Sequence, residues 1–438
     1  MTKEPNHRKM TGKIACWAGA ATIVAGLAGI GALSSHAADI SASNVVEQLQ
    51  QQLDSGSVKL AYGEQGYLPS LLKALRVPES SQLLVFSASS FQFDLINQNT
   101  PRALYYQDNV ALGSVPNGRV IELMTEDKNG GVAFYTLDMA KTDKPHFVRR
   151  TGECSICHAF SSRWASGMMV ADSDTGPGGK LMNIDTARPF RLTDDRTPFE
   201  NRYGGWYVTG TTGAMKHRGN VTLDAANPVA VPAGGLNLTS LAGRVNTSRY
   251  LQSGSDIVSL LTLEHQSGFV NLITQINAQY RGLDNHDVKP ELRATQDDID
   301  TSIKDLVAYM TFADAVPLPS PVTGSSTFTK DFAAQGPRDR LGRSLRDFDL
   351  SAALFRYPLS YMVYSQAFDS LNPRAKDVVL HRLYDVLHGA AKSEPAAKLN
   401  PAKAAAAINI LAATKSGLPD YWKTVEEPSG AKTKEASR

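Results

Sequence analysis

Three features of this chain predict an α+β protein. Short apolar runs between residues 83 and 137 are separated by Asn117-Gly118 and by Asn129-Gly130-Gly131, which are hairpin signals. Apolar residues recur at helical spacing before this stretch and again after residue 256. Between them, residues 170–245 spread Gly, Pro, Asp and Thr throughout. The expected architecture is an N-terminal antiparallel β-meander with flanking helices, followed by a loop-rich and mostly α-helical region.

Taken in order, residues 41–76 read as helical: Val45, Val46, Leu49 and Leu53 share one face, and so do Leu68, Leu71, Leu72 and Leu75. Leu83-Leu84-Val85-Phe86 reads as a short strand. Ala103 to Ala111, Val120 to Glu126 and Val132 to Leu137 complete the meander. Trp206-Tyr207-Val208-Thr209 is one strand inside the loop-rich stretch. Asp256 can cap a long helix to Tyr280, with Ile257, Leu260, Leu261, Leu272, Ile273 and Ile276 on its apolar side. Further helices are expected over Gln296–Phe312, 345–368 and 373–389. Asn400-Pro401 and Gly417 bracket a last one. The Lys-, Glu- and Ser-rich final dozen residues read as disordered. The regions expected are 1–37, 38–150, 151–390 and 391–438.

The first region reads as an export signal. Lys3, Arg8, Lys9 and Lys13 precede an apolar run from Ile14 to Leu33, and Ser35-His36-Ala37 offers small residues for cleavage. The run is also long enough to serve as an uncleaved membrane anchor. Either way the rest of the chain is placed in the periplasm. The 45 Lys and Arg nearly balance the 43 Asp and Glu, and no basic stripe suggests nucleic acid.

Cys154-Ser155-Ile156-Cys157-His158 is a C-x-x-C-H pentapeptide, the attachment signature of c-type haem. Two thiols would form thioethers with the haem, and the adjoining imidazole would be its proximal ligand. The rival readings are half of a zinc site or a thioredoxin-like pair. Cys16 is the only other cysteine and lies in the export segment, so zinc would need two distant ligands. The thioredoxin reading lacks a βαβ context. The third region, 151–390, is therefore expected to bind one covalent haem c through Cys154, Cys157 and His158.

The second axial position has several candidates. His217 follows a glycine-rich run and lies 59 residues beyond His158, far enough for a loop to return over the ring. His265 shares a helical face with Leu261, Gly268 and Leu272. These two are the distal candidates, and either has the bland reading of a bonded loop or core histidine. Met168 and Met169 are too near His158 to cross the ring easily, whereas Met215 is better placed; Met182 and His146 are weaker candidates. Arg149, Arg150 and Arg163 could pair with haem propionates. Trp164, Trp206, Tyr203 and Tyr207 could line the pocket, with core packing as the simpler role.

Several strings resemble a family of large exported bacterial cytochrome c domain-containing proteins. They are Ser90-Phe91-Gln92, Pro101 to Tyr105, Phe134 to Leu137, the haem motif, Arg202 to Gly210, His217 with Gly219-Asn220, Glu264-His265-Gln266, and Gly342 to Leu345. The resemblance spans about residues 83 to 390 and implies a haem protein without implying a reaction. It places histidines at His217 and His265. It often has Met where this chain has Arg218, and Cys where this chain has Leu359.

Three functions remain open at this level. One is a mono-haem electron carrier serving a redox partner protein or a small-molecule donor or acceptor. The second is a haem peroxidase or oxygenase, an oxidoreductase with His217 or His265 as acid–base. The third is a haem-based sensor or binding module.

Overall fold

The computed structural model describes residues 44–127, 130–159, 165–182, 191–224, 235–285, 293–390 and 399–422. The export segment, Arg163, Trp164 and the C-terminal tail fall outside them. Residues 42–438 group as a single unit. Among the described residues, no helix is long and apolar enough to cross a membrane.

Alternation of side chains builds the centre of the molecule. The strands are β1 (Leu83–Val85), β2 (Arg102–Gln107), β3 (Val110–Ser114), β4 (Val120–Asp127), β5 (Gly131–Asp138) and β6 (Phe147–Arg150). Strands β7 (Ala171–Asp172) and β8 (Arg191–Leu192) pair with each other, and β9 (Trp206–Tyr207) joins β1 to β6 in an antiparallel seven-stranded sheet in the order β6-β5-β4-β3-β2-β1-β9. One face carries Tyr105, Leu112, Leu123 and Tyr135, which pack with α1 (Val45–Asp54) and α2 (Leu68–Ala74). Tyr135 ties that closure: its hydroxyl donates to Glu47 Oε1 at 2.8 Å and accepts from Asn44 Nδ2 at 3.0 Å. The opposite face, with Leu83, Val85 and Tyr106, belongs to the larger core.

That larger core is organised by the 28-residue helix α4 (Ile257–Asp284). Asp256 caps it, accepting from the backbone N–H groups of Val258 and Ser259. The helix is buried nearly all round, so its polar residues need internal partners. Gln266 donates to the carbonyls of Gln107 and Asp108, and Tyr106 donates to the Ser259 carbonyl, which locks the helix to the β2–β3 hairpin. Around it lie α5 (Gln296–Met310), α6 (Phe328–Ala334), α7 (Gln366–Asp369), α8 (Pro373–Leu387) and α9 (Pro401–Thr414). Asn372 caps α8 and Asn400 caps α9, each ahead of a proline at the first turn.

Several elements differ from the sequence expectations. The run Ala103 to Ala111 is two strands, because Asp108-Asn109 turns the chain between Gln107 and Val110. Strand β6 was not anticipated; its exposed Val148 and Arg149 hide the alternation. Of Trp206–Thr209 only Trp206–Tyr207 is strand (β9), and Gly210, at φ 132°, starts a separate strand, β10 (Gly210–Thr211). The largest departure is 345–368. Only Gln366–Asp369 is α-helical there, preceded by a single 3-10 turn at Tyr361–Tyr364. Asp349 accepts from the backbone N–H groups of Ser351 and Ala352, Leu350 takes φ 56°, and Pro358 removes a donor. The apolar residues of this stretch, Phe348 and Phe355, instead stack on each other at 5.2 Å. Residues 41–76 likewise split into α1 and α2, parted by a stretch containing Gly56, Gly63 and Gly66.

Candidate cofactor site

Strand β6 delivers the chain directly to the short helix α3 (Glu153–His158). On a helix, residues three and four apart lie on one side, so Cys154, Cys157 and His158 share that side. Both thiols are free; Cys154 is half-buried and Cys157 is exposed. Burial, reinforced by the carboxylates of Glu122 and Glu153, holds the Cys154 thiol above its ordinary range.

His158 is oriented by a backbone carbonyl. Its Nδ1 donates to the Gly167 carbonyl at 2.7 Å, which selects the tautomer with the lone pair on Nε2. The ring packs 4.6 Å from that of Phe134 on β5. Burial lowers its pKa below the usual histidine value, which favours the neutral imidazole that a metal requires.

Cys154 and His158 open on a cavity of about 1140 Å³, its mouth included. Its floor is the face of the sheet turned away from α1 and α2, with Leu104, Tyr106, Ala111, Met124 and Phe134. The far wall is Met168, Met169, Val170, Trp206 and, from α4, Leu263. The lining is largely apolar with few polar groups, as in many cofactor sites. Asn271 of α4 fixes the wall by bonding both the N–H and the C=O of Met168. Trp206 is fixed by its indole N–H, which donates to the Ala171 carbonyl at 2.8 Å.

The polar groups are concentrated near the motif. Arg102 pairs with Glu122 at 2.7 Å across the intervening strand β3. The position between them on β3 is Gly113, and a Cβ there would lie 2.3 Å from the Arg102 guanidinium. Glycine at this place lets the arginine cross the sheet. Arg102 Nε is buried without a hydrogen-bond partner among the described residues. Arg150 also lines the cavity, with Nε donating to Thr136 Oγ1 at 3.0 Å. These groups fit a cofactor bearing carboxylates: Arg102 and Arg150 line the cavity together with the Cys154 thiol and an oriented imidazole.

The two distal candidates are placed elsewhere. His217 is 1% exposed and does not line the cavity. Its Nδ1 accepts from the Gly219 N–H at 3.1 Å, and burial pulls its pKa down to about 4. His265 is fully buried on α4, with Nδ1 bonded to Asp195 Oδ2 at 2.8 Å and Nε2 to Ser360 Oγ at 2.7 Å. Its ring stacks on Tyr309 at 5.0 Å. Both ring nitrogens are thereby engaged, away from the cavity.

The remaining candidates divide. Met168 and Met169, which spacing disfavoured, are on the cavity wall; Met182 and Met215 are not. His146 is exposed. Arg149 points to the closed face, pairing with Glu47 and Asp127. Tyr203 is buried and donates to Glu264 Oε2 at 2.9 Å, beside the Arg202–Glu264 pair at 2.6 Å. Tyr207 lies in the closed-face core. Arg218 joins Arg191 in pairing with Asp172 and Asp174. Sequence reasoning gave no site role to Arg102, Glu122 or Gly113. Their signal was the charged, side-chain-free interruption of an otherwise apolar strand face.

Among the described residues, no group of three or more His, Cys, Asp or Glu side chains is arranged to hold a metal ion. No protein-family model matches the chain, and no curated protein or solved structure shows similarity to it.

Proposed function

We propose that this is an exported, periplasmic mono-haem c-type cytochrome that transfers electrons. The observation carrying this reading is that Cys154 and His158 open together on the sheet-floored cavity, with His158 Nδ1 bonded to the Gly167 carbonyl. Cys154 and Cys157 would hold the haem by thioethers, and His158 would ligate its iron through Nε2. Bound there, haem supplies a one-electron couple. The Gly167 carbonyl increases the basicity of the imidazole and fixes its plane. Leu104, Met124, Phe134 and Leu263 exclude water, while Arg102 and Arg150 offer donors to carboxylates. The resemblance to cytochrome c domain-containing proteins points the same way.

The second axial ligand is reassigned in this reading. The described cavity walls carry one imidazole, His158, and three thioethers, Met124, Met168 and Met169. If these walls were to supply a second ligand it would be the thioether of Met124, Met168 or Met169, which would raise the potential of the couple relative to a second imidazole. The positions of His217 and His265 lend no support to an acid–base role at the iron.

The test is expression in a periplasm competent for c-type maturation. The expected outcome is haem that survives denaturing electrophoresis, with a pyridine haemochrome spectrum for two thioether links. Cys154→Ala with Cys157→Ala should abolish it. Absence of covalent haem in the wild-type protein under those conditions overturns the proposal.

A further inference from the structure

A second cavity, of about 1050 Å³ with its mouth, lies on the other side of α4 and shares no lining residue with the first. Leu261 of α4 lines it, whereas Leu263 lines the cofactor cavity. Phe199, Leu261, Phe312, Leu318 and Phe355 make its walls largely apolar. Burying an apolar group among them is favourable, and burying a polar group without a partner is not.

The charged side chains deep in this wall are already matched. Arg202 is 1% exposed and donates to Glu264 at 2.6 Å, to the Thr197 carbonyl at 2.6 Å and to the Asp195 carbonyl at 3.1 Å. Asp195 is the one acidic residue on the described wall, and neither of its oxygens is offered to a ligand. Its Oδ2 bonds His265 Nδ1 at 2.8 Å, and its Oδ1 is buried. The interior therefore suits a group that asks for no hydrogen bond.

The mouth differs. Arg356 lines the cavity and is exposed, and its guanidinium makes no ion pair or hydrogen bond among the described residues. Lys403, from the first turn of α9, lines the cavity too; its side chain is 47% exposed and pairs with Asp349 at 3.3 Å. An exposed arginine can be satisfied by water alone. Here it stands at the edge of an apolar chamber, so an anion joined to an apolar tail gains at both ends. A cationic head would be repelled by Arg356 and Lys403, and a neutral head would leave the arginine to water.

We propose that this cavity binds a carboxylate carrying an apolar tail, the tail packing among Leu261, Phe312, Leu318 and Phe355 and the carboxylate pairing with Arg356 at the mouth. The planar guanidinium offers two parallel N–H donors that match one carboxylate. Lys403 adds to the attraction. The site is separate from the haem site and does not depend on it.

Titration calorimetry on the full-length protein at low ionic strength tests this with octanoate, octanol and octyltrimethylammonium. Octanoate should bind about fivefold more tightly than octanol, the upper end of what an exposed ion pair supplies. The ammonium should bind more weakly than octanol, and added salt should narrow the gap between octanoate and octanol. Arg356→Ala should bring octanoate to within about twofold of octanol, with octanol binding unchanged. Ala315→Phe, which adds a ring to the apolar wall, should abolish binding of all three. The proposal is overturned if octanoate binds no tighter than octanol, if the ammonium binds tightest, or if none binds. It is equally overturned if Arg356→Ala keeps the full preference or Ala315→Phe leaves binding intact. Should Ala315→Phe fail to fold, the wild-type ligand series and the exposed Arg356→Ala decide.

Discussion

The two faces of the central sheet come from alternate residues of the same strands, yet they end differently. On the face toward α1 and α2, Tyr105, Leu112, Leu123 and Tyr135 are buried against apolar side chains of those helices. On the other, Ala111 and Gly113 are too small to fill their places, Arg102 and Glu122 are charged, and a cavity remains. A face closed by complementary packing serves stability. A face left open, with charged side chains on its floor, is arranged for something that is not protein.

Adjacent residues on β4 allow the sharpest test of this contrast. Leu123 is buried in the closed face and Met124 lines the cavity. Leu123→Ala should cost about 2–5 kcal/mol of unfolding free energy, because it creates a void. Met124→Ala, beside existing empty space, should cost the haem-free protein about 1 kcal/mol. Equal losses in urea denaturation would erase the distinction.

The pH dependence of stability sharpens the comparison next. His217, buried away from the cavity, has its pKa lowered to about 4, so the folded state resists its protonation. Its contribution is full above the unfolded value near 6.5 and is lost as pH falls toward 4, by about 1.4 kcal/mol per unit. His217→Asn keeps an acceptor for the Gly219 N–H and should flatten urea midpoints over that window. Glu126, two residues beyond Met124 on the same strand face, runs the other way. Burial first, with Asp108 and Asp369 adding to it, raises its pKa to about 8. Stability from its protonated form is full below about 4.5 and is lost as pH rises toward 8. Glu126→Gln should therefore improve stability at pH 8 relative to pH 5, as differential scanning calorimetry can measure.

A smaller effect is expected at the glycine that opens the cavity floor. Gly113→Val forces Arg102 from its place and should cost about 1–3 kcal/mol. It should also lower the fraction of protein carrying covalent haem, read as the Soret-to-protein absorbance ratio. Least of all should change in the iron's spectrum when the two distant histidines are replaced. His217→Asn and His265→Asn should leave the low-temperature EPR signal of the wild type in place. A switch to high-spin iron in either variant would restore that histidine as the axial ligand.

Legibility in the sequence tracked how local each feature is. Hairpins at Asn117-Gly118 and caps at Asp256 and Asn400 depend on a few neighbouring residues, and these were readable. The helix expected over 345–368 was misread because apolar spacing cannot separate a helical face from an aromatic cluster held by turns. Strand β6 was missed because two of its four side chains are exposed. His265 kept its ambiguity until Asp195 and Ser360, 70 and 95 residues away, were seen to engage both nitrogens. Met168 and Met169 were set aside on spacing alone, which says how far a chain can reach but not which wall it joins.

By itself the sequence determined the antiparallel meander, the capped long helix and the thiol–thiol–imidazole group, since each is written in residues within a turn or two of one another. Only the tertiary structure decided which side chains surround that group. The cavity is assembled from all seven strands of the central sheet, helix α3, loop residues and one turn of α4, and its walls depend on contacts between segments far apart in the chain. Local spacing constrains local conformation, whereas the choice of neighbours across a packed interior is made by the whole fold at once.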